Sequence, residues 1–217
     1  MSDYDYLVYT DGACIGNPGP GGWAAIIRSR DGSERILAGN AVRTTNNRME
    51  LIAALEALRV LPEGVRVLLR TDSRHLADAI EKGWAERWRA HGWKRNRRER
   101  AENSDLWEQL LAELERRSVR IEWVRSHNGD SLNERCDAIA RQEAEHATGV
   151  DAGYESAIAH RQELLGSTEP SRTQHAVIEC RTEADGAVVI TDGTSSVRLD
   201  RQQIPELISK LTKLLVS

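Results

Sequence analysis

The 217-residue chain has few cysteines, and they form no recognisable pattern. Cys14, Cys136 and Cys180 are far apart and odd in number, so they match neither a zinc-site spacing nor a disulfide framework. No apolar run approaches the roughly 18 residues that a membrane-spanning helix needs. The acidic start shows neither the basic segment nor the cleavage site of a secretory signal. We therefore expect a cytoplasmic protein with reduced thiols and no membrane partner.

The chain also lacks an overall positive charge, because its formal net charge is −4. A negative balance by itself argues against a nucleic-acid partner. Residues 87–100, however, contain seven basic side chains and one acidic one, and three tryptophans lie in or beside this segment. Aromatic surfaces among positive charges suit nucleic acid, so the segment is a candidate binding surface. The alternative is a solvated helix whose tryptophans pack on the core.

Apolar periodicity predicts an α/β domain at the start of the chain. Strands are expected near residues 7–10, 23–29 and 34–42, with a glycine-rich loop over residues 11–22. Helical and strand patterns then alternate, over residues 46–61, 65–71, 73–82, 105–117, 119–124 and 132–147. This order predicts one mixed sheet with helices on both faces.

The patterns divide the chain into three parts. Residues 1–147 are expected to form the first domain, residues 148–173 a linker, and residues 174–217 a small unit with the order β-β-β-α. Chains of about 40 residues rarely fold without a partner surface. The predicted helix over residues 201–216 has a full apolar face, so we expect a homodimer through this unit.

Four acidic residues stand at positions that suggest a metal site. Asp11 ends the first predicted strand and Asp72 ends the fourth, so both would emerge at one edge of the sheet if these strands are parallel neighbours. Glu50 lies one turn into the first helix, and Asp137 lies on the last helix of the first domain. Converging like charges repel unless cations bind between them, and oxygen-only ligands suit Mg²⁺ or Mn²⁺.

Each acid also has a structural explanation when it is taken alone. Asp11 could belong to a turn, and Glu50 could complete a capping box with Asn47. Asp72 could cap the helix that follows it. Asp137 could be a solvated helix residue. The metal-site interpretation depends on all four acids meeting at one place.

The sequence around these acids resembles the four signature blocks of type 1 ribonuclease H. The blocks are TDGACIGNPGPGGWA around Asp11, TTNNRMEL around Glu50, LLRTDS around Asp72 and SHNGDSLNERCDAIA around Asp137. They follow the family's order, and the resemblance covers residues 4–147. It implies the ribonuclease-H-like fold, a five-stranded mixed sheet in the order 3-2-1-4-5 flanked by helices. It also implies hydrolysis of the RNA strand of RNA–DNA hybrids with two Mg²⁺ ions, for which Mn²⁺ could substitute, leaving 5′-phosphate and 3′-hydroxyl ends.

The same resemblance implies roles for individual side chains. Asp11 would bridge both ions, and Asp137 would hold the ion that activates water. Glu50 and Asp72 would hold the ion that stabilises the leaving 3′ oxygen. His127 matches the family's mobile histidine, to which the resemblance assigns proton transfer or product release.

Other positions match family residues that contact the hybrid. Matches to RNA-strand contacts are Cys14, Asn17, Asn46 and Asn47. The alternative for Asn46 and Asn47 is helix capping. Matches to positions that grip a DNA-strand phosphate are Arg43 and Thr45. The basic segment resembles the protrusion that holds the DNA strand in many bacterial members, and it contributes Trp84, Trp88, Lys94 and Arg95.

Two other classes of function compete with this one. A catalytically silent binding module with the same fold is opposed by the complete set of four acids. Another nuclease of the same superfold, such as a junction resolvase or an integrase, is opposed by the TTNNRMEL block and the basic segment.

Overall fold

The computed structural model describes residues 3–97, 99–126 and 129–166, and three strands at 179–182, 188–191 and 196–199. The chain divides into two compact units, residues 1–163 and residues 164–217. Within the described part of the chain, no helix is both long enough and apolar enough to cross a bilayer.

The first unit is built on a five-stranded mixed sheet. Its strands are β1 (Tyr6–Cys14), β2 (Gly19–Ser29), β3 (Glu34–Thr44), β4 (Arg66–Thr71) and β5 (Ser118–Trp123). The order is β3-β2-β1-β4-β5. Strand β4 runs parallel to both β1 and β5, whereas β2 is antiparallel to both β1 and β3. The predicted sheet and strand order are confirmed.

Helices cover both faces of this sheet. They are α1 (Asn46–Arg59), α2 (Arg74–Glu81), α3 (Trp84–Ala90), α4 (Ser104–Glu115) and α5 (Ser131–Glu145). Successive residues of a strand point to opposite faces. Val8 on β1 accordingly packs with buried residues of α1, α2 and α4, and its neighbour Tyr9 packs with buried residues of α5. The site described below lies where β1, β4, α1 and α5 meet.

Strands β1 and β2 extend into the region predicted as a glycine-rich loop. The sequence pattern predicted a loop over residues 11–22, but β1 continues to Cys14 and β2 begins at Gly19. The turn is confined to residues 15–18, where Gly16 has a positive φ of 75°, while Gly12 and Gly22 lie in the strands and permit close packing. A Cβ atom at Gly22 would overlap the backbone of α5 at Ala140, and one at Gly12 would overlap the backbone nitrogen of Glu50.

The region predicted as a linker contains ordered structure. Helix α6 (Ala152–Gly166) lies inside residues 148–173, and the first compact unit runs to residue 163. The backbone of Gly149 accepts a hydrogen bond from Val42 on β3. The Asp151 side chain forms an ion pair within the unit and accepts a hydrogen bond from the backbone N–H of Tyr154 in α6. The predicted domain boundary at residue 147 therefore falls before the end of this unit.

The second unit contains a small antiparallel sheet. Its strands, β6 (Glu179–Thr182), β7 (Val188–Thr191) and β8 (Ser196–Leu199), pair in sequential order. The helix predicted over residues 201–216 lies outside the described residues. The predicted homodimer through this unit consequently stays a prediction.

Candidate active site

The sheet register places Asp11 and Asp72 side by side. Thr10 on β1 pairs with Thr71 on β4 in a parallel register, and the two aspartates follow these residues. Glu50 reaches the same place from the first turns of α1. This approach requires a glycine at position 12, because any larger residue would collide with the helix backbone at Met49 and Glu50. The three acids therefore meet by strand pairing and by close helix–sheet packing.

Carboxylate oxygens of Asp11, Glu50 and Asp72 all lie within 4.8 Å of one another. They open onto a cavity of about 380 Å³, which Asp137 also lines. The other residues that line this acid cavity are Gly12, Asn46, Asn47, Ser73, Arg74, His75, Ser126 and Arg141. The structure thus brings the four predicted acids to one cavity, three of them in a tight cluster.

Two of these acids are buried and incompletely hydrogen-bonded. Asp11 is 4% exposed and Glu50 is 5% exposed. Asp11 Oδ2 and Glu50 Oε2 are buried and have no hydrogen-bond partner among the described residues. Burial raises the pKa of Asp11 to about 8, with the charges of Asp72 and Asp137 adding to the effect. Burial and the neighbouring Asp11 charge likewise raise the pKa of Glu50 well above its usual value.

This arrangement fits a divalent metal site. Buried carboxylates without a partner are costly, and like charges at such short range favour protonation unless a cation lies between them. A hard cation would satisfy the free oxygens of Asp11 and Glu50 and remove the repulsion. The three clustered ligand atoms are carboxylate oxygens, which Mg²⁺ and Mn²⁺ prefer.

Asp72 and Asp137 are held differently from the two buried acids. Asp72 Oδ2 accepts hydrogen bonds from Ser126 Oγ at 2.7 Å and from Asn133 Nδ2 at 3.5 Å. Asp137 is 22% exposed at its side chain, and its Oδ1 lies 2.9 Å from Nε of Arg141, one turn later in α5. Each of these carboxylates therefore has a polar neighbour that orients it.

The local explanations for Asp11, Glu50 and Asp72 do not match the structure, whereas Asp137 is a partly exposed helix residue that pairs with Arg141. Ser73, and not Asp72, caps α2, because its Oγ accepts from the Leu76 backbone N–H at 3.4 Å. Asp11 lies within β1 and not in a turn. Helix α1 begins after Thr45 and not at Asn47, and the Thr45 side chain makes no capping hydrogen bond, so Glu50 does not complete a capping box with Asn47.

The predicted RNA-strand contacts gather beside the acids. Asn46 and Asn47 line the acid cavity, and Cys14 and Asn46 line an adjoining cavity of about 360 Å³. Asn17 Oδ1 accepts from the Asn46 backbone N–H at 3.3 Å, which joins the turn after β1 to the start of α1. These residues form a continuous polar border around the acid cavity.

The predicted contacts of the basic segment line a separate cavity of about 790 Å³. Its lining combines the aromatic rings of Trp84, Trp88 and His75 with the side chains of Arg87, His91, Lys94, Arg95, Asn96, Arg97, Ala101 and Glu102. The tryptophans also pack on the core, since the ring centroids of Trp88 and Trp107 lie 6.1 Å apart. The rings therefore support the fold, and the cavity is lined largely by basic side chains. Binding of nucleic acid by this segment stays a prediction.

Two predicted site residues, Arg43 and Thr45, lie elsewhere in the first unit. Arg43 lies near the end of β3 and places its guanidinium 6.0 Å from the ring centroid of Tyr154 on α6. Thr45 precedes α1. Within the described residues, neither lines any of the three cavities described above. His127 lies outside the described residues.

Comparison with known proteins identifies the family. The family model for RNase H matches residues 3–145. The chain belongs to the ribonuclease H family. It is 50% identical over 144 residues to ribonuclease H of Nitratidesulfovibrio vulgaris, which covers 66% of this chain and 92% of that protein. Ribonuclease HI of a Synechocystis species is 51% identical over 133 residues, covering 61% and 83% of the two chains.

A solved structure agrees with this assignment. The crystal structure of LC9-RNase H1, described as a type 1 RNase H with the type 2 active-site motif, is 30% identical to this chain with a TM-score of 0.60. The alignment covers 78% of this chain and 87% of that one. The resemblance to type 1 ribonuclease H that the four sequence blocks indicated is confirmed.

Two arginine side chains in this ribonuclease H site were not predicted from the sequence. Arg74 lines the acid cavity and stacks on Trp123, with its guanidinium carbon 3.8 Å from the ring centroid. Arg141 lines both the acid cavity and the adjoining cavity. The four-residue spacing between Asp137 and Arg141 is the signal that could have revealed the second one.

Proposed function

We propose that the protein is an endonuclease that hydrolyses the RNA strand of RNA–DNA hybrids with two bound Mg²⁺ ions, for which Mn²⁺ can substitute. The products would carry 5′-phosphate and 3′-hydroxyl ends. The observation that carries this proposal is the cluster of Asp11, Glu50 and Asp72, whose oxygens lie within 4.8 Å of one another while Asp11 and Glu50 each keep one oxygen without a partner. Relatives about 50% identical that are named ribonuclease H support the same activity.

Asp11, Glu50, Asp72 and Asp137 would hold the metal ions. When bound, two such ions stabilise the attacking and the leaving oxygen of an in-line displacement at phosphorus. The chain's own part is to fix its ligand oxygens. Ser126 and Asn133 orient Asp72, and close packing at Gly12 holds Glu50 against β1. A role of His127 in proton transfer or product release stays a prediction.

Selection of RNA would come from the polar border of the acid cavity. RNA differs from DNA by its 2′-hydroxyl, which short polar side chains and backbone groups can read in a wide minor groove. Asn46 and Asn47 line the acid cavity, and Cys14 and Asn17 lie next to them. We assign the RNA strand to this border, and a DNA-strand phosphate to Arg43 and Thr45.

The decisive experiment compares three labelled duplexes, with and without divalent metal. RNA–DNA hybrid should be cleaved in its RNA strand, and RNA duplex and DNA duplex should remain intact. Chelation of metal should stop the reaction, and both Mg²⁺ and Mn²⁺ should restore it. Cleavage of the DNA duplex, or equal cleavage of the hybrid in a chelator, would exclude the proposed activity.

The basic cavity would hold the DNA strand through stacking and phosphate contacts. Replacing Lys94, Arg95 and Arg97 together by alanine should raise KM for the hybrid far more than it lowers kcat. The salt dependence of hybrid binding should also flatten, by roughly 0.9 in the logarithmic slope for each phosphate that is no longer neutralised. The matched control replaces Arg116 and Arg120, two exposed arginines outside this cavity. An unchanged slope in the triple variant would show that the segment does not bind the hybrid.

Two further proposals concern the whole chain. A cytoplasmic location and a homodimer formed through residues 174–217 are both inferred from the sequence alone. Light scattering on the full chain measures its mass directly. A monomeric mass at micromolar concentration would refute the dimer.

A further inference from the structure

Arg141 is a positively charged side chain in the cavity that we propose to bind metal cations. It lies on α5, one turn after Asp137, and its Nε is 2.9 Å from Asp137 Oδ1. Its side chain is 59% exposed, so the core does not force it into this position. It lines the acid cavity together with Asp11, Glu50 and Asp137. A positive charge thus already pairs with one of the four carboxylates proposed to bind metal.

The charge of Arg141 also acts on the interior of the cluster. Arg141 lines the same cavity as Asp11, Glu50 and Asp72, so its positive charge attracts these carboxylates as well as Asp137. The guanidinium therefore offsets part of the repulsion among the acids in the absence of metal. A divalent ion would offset the same repulsion, so Arg141 and a bound metal ion would neutralise the same carboxylates.

We propose that Arg141 is a built-in counter-ion of the active site, which orients Asp137 when no metal is bound and competes with metal for that carboxylate. Arg141 is a positioning residue in this role, because it acts through Asp137. It sets the metal concentration that the site needs. The proposal rests on the proposed metal-dependent function and adds a residue that controls its metal affinity.

Removal of the Arg141 guanidinium should have opposite effects on metal binding and on the stability of the metal-free protein. Removing the guanidinium removes a competitor for Asp137 and a repulsive charge near the bound ions, so metal should bind more tightly. The metal-free protein loses its counter-ion, so repulsion among the acids increases and the melting temperature in a chelator should fall. A purely structural surface ion pair would not increase metal affinity when it is removed.

The test is a calorimetric titration of Mn²⁺ into the full chain without any hybrid. Arg141→Gln should bind the ion about fivefold more tightly than the wild type. Arg141→Lys keeps the charge and should stay close to the wild type. Arg135→Gln is the matched control, because Arg135 lies on the same helix but pairs with Glu34 on β3, at 2.6 Å. This control should leave the affinity unchanged.

Each outcome of the titration has one meaning. Equal or weaker binding by Arg141→Gln overturns the counter-ion role and leaves the proposed nuclease function standing. Failure of the wild type itself to bind Mn²⁺ overturns both proposals. Tighter binding by Arg135→Gln to the same extent would assign the effect to the charge of α5 in general and overturn the specific role of Arg141.

Discussion

Two buried ionisable side chains, Arg48 and Glu50, lie two residues apart on α1, and they differ in their hydrogen-bond partners. Arg48 is 2% exposed and has two carboxylate partners. Its Nε and Nη2 donate to Asp151 at 2.6 and 2.8 Å, and its Nη1 and Nη2 donate to Asp105 at 2.9 and 2.7 Å. Glu50 is 5% exposed, and within the part of the chain that the structure describes its Oε2 has no hydrogen-bond partner. One charge is neutralised by the protein, and the other lacks such a partner.

The pKa values express the same difference. Burial acts to raise the pKa of Asp151, but hydrogen bonds from Arg48 and Thr44 outweigh it and hold this pKa below its usual value. The hydrogen bond from the Gly12 backbone does not offset the burial of Glu50 and the charge of Asp11, so the pKa of Glu50 rises. A buried charge with good partners links distant segments of the fold through ion pairs. A buried carboxylate without such partners repels neighbouring carboxylates, and a bound cation can remove that repulsion. The Arg48 cluster therefore belongs to stability and the Glu50 cluster to function.

The largest expected effect is the loss of cleavage in Asp11→Asn. This change removes a central ligand charge, so metal-dependent cleavage of the hybrid should fall by about a thousandfold or more. The metal-free protein should melt at the same or a higher temperature, because repulsion within the cluster decreases. Single-turnover cleavage and thermal melting in a chelator measure the two effects.

Asp31→Asn is the control for this substitution, because Asp31 lies in the exposed turn between β2 and β3. It should keep near-normal cleavage. If Asp11→Asn retained cleavage close to that of the wild type, the distinction between a functional and a structural cluster would fail.

The next largest effect concerns stability in the Arg48 cluster. Asp151→Asn leaves the buried Arg48 with only the half-exposed Asp105 as a carboxylate partner. Breaking a buried pair costs about 3–5 kcal/mol, so urea unfolding should show a decrease of about 3 kcal/mol in the free energy of unfolding. The kcat of the folded fraction should change much less than in Asp11→Asn.

The same reasoning predicts where the chain can be shortened. A chain that ends at residue 149 lacks Asp151 and should lose stability to a similar degree, whereas one that ends at residue 166 keeps the pair. Asp105→Asn is the control, and its effect should be smaller because the Asp105 side chain is 42% exposed. Equal stability of the two shortened chains would contradict the structural role of Asp151.

The last expected effect is a difference in the pH dependence of stability between the two clusters. Asp11 binds protons more tightly in the folded state, with a pKa of about 8. Its contribution to stability is therefore fully present below about pH 4, and it is lost as the pH rises towards 8. Asp151 has a lowered pKa, so its contribution is present at neutral pH and is lost only as the pH falls into the acid range.

Urea unfolding in a chelator between pH 5 and pH 8 measures the contribution of Asp11 to stability. Metal-free stability should decline across this range in the wild type, and the decline should be shallower in Asp11→Asn. Saturating Mg²⁺ should also reduce it, because the metal favours the ionised carboxylates. A wild-type stability that rises with pH in the chelator would show that Asp11 does not titrate as the structure indicates.

The sheet and two of the four proposed metal ligands could be predicted from local sequence. Period-two and helical patterns located β1, β4, α1 and α5, and Asp11 and Asp72 stand at the carboxyl end of paired strands. Strand polarity brings such residues to one edge of the sheet. Glu50 and Asp137 were found because the blocks around them resemble those of a family, since a single acid on a helix is usually solvated.

The glycines near the first strand were misread for a physical reason. Glycine predicts a turn when only the local backbone is considered. At Gly12 and Gly22 the missing side chain instead makes room for α1 and α5. Such close packing depends on partners far away in the sequence, which a local pattern does not contain.

The sequence by itself determined which side chains are available to this protein: four carboxylates at recognisable positions, a basic and aromatic segment, and the strand order that follows from the family. Only the tertiary structure decided which charges are paired. Arg48 and Glu50 look alike as charged residues near the start of a helix, and Asp151 lies 103 residues away from its partner. Burial and pairing arise when distant segments pack together, so the fold alone makes one charge a structural support and leaves the other free to bind metal.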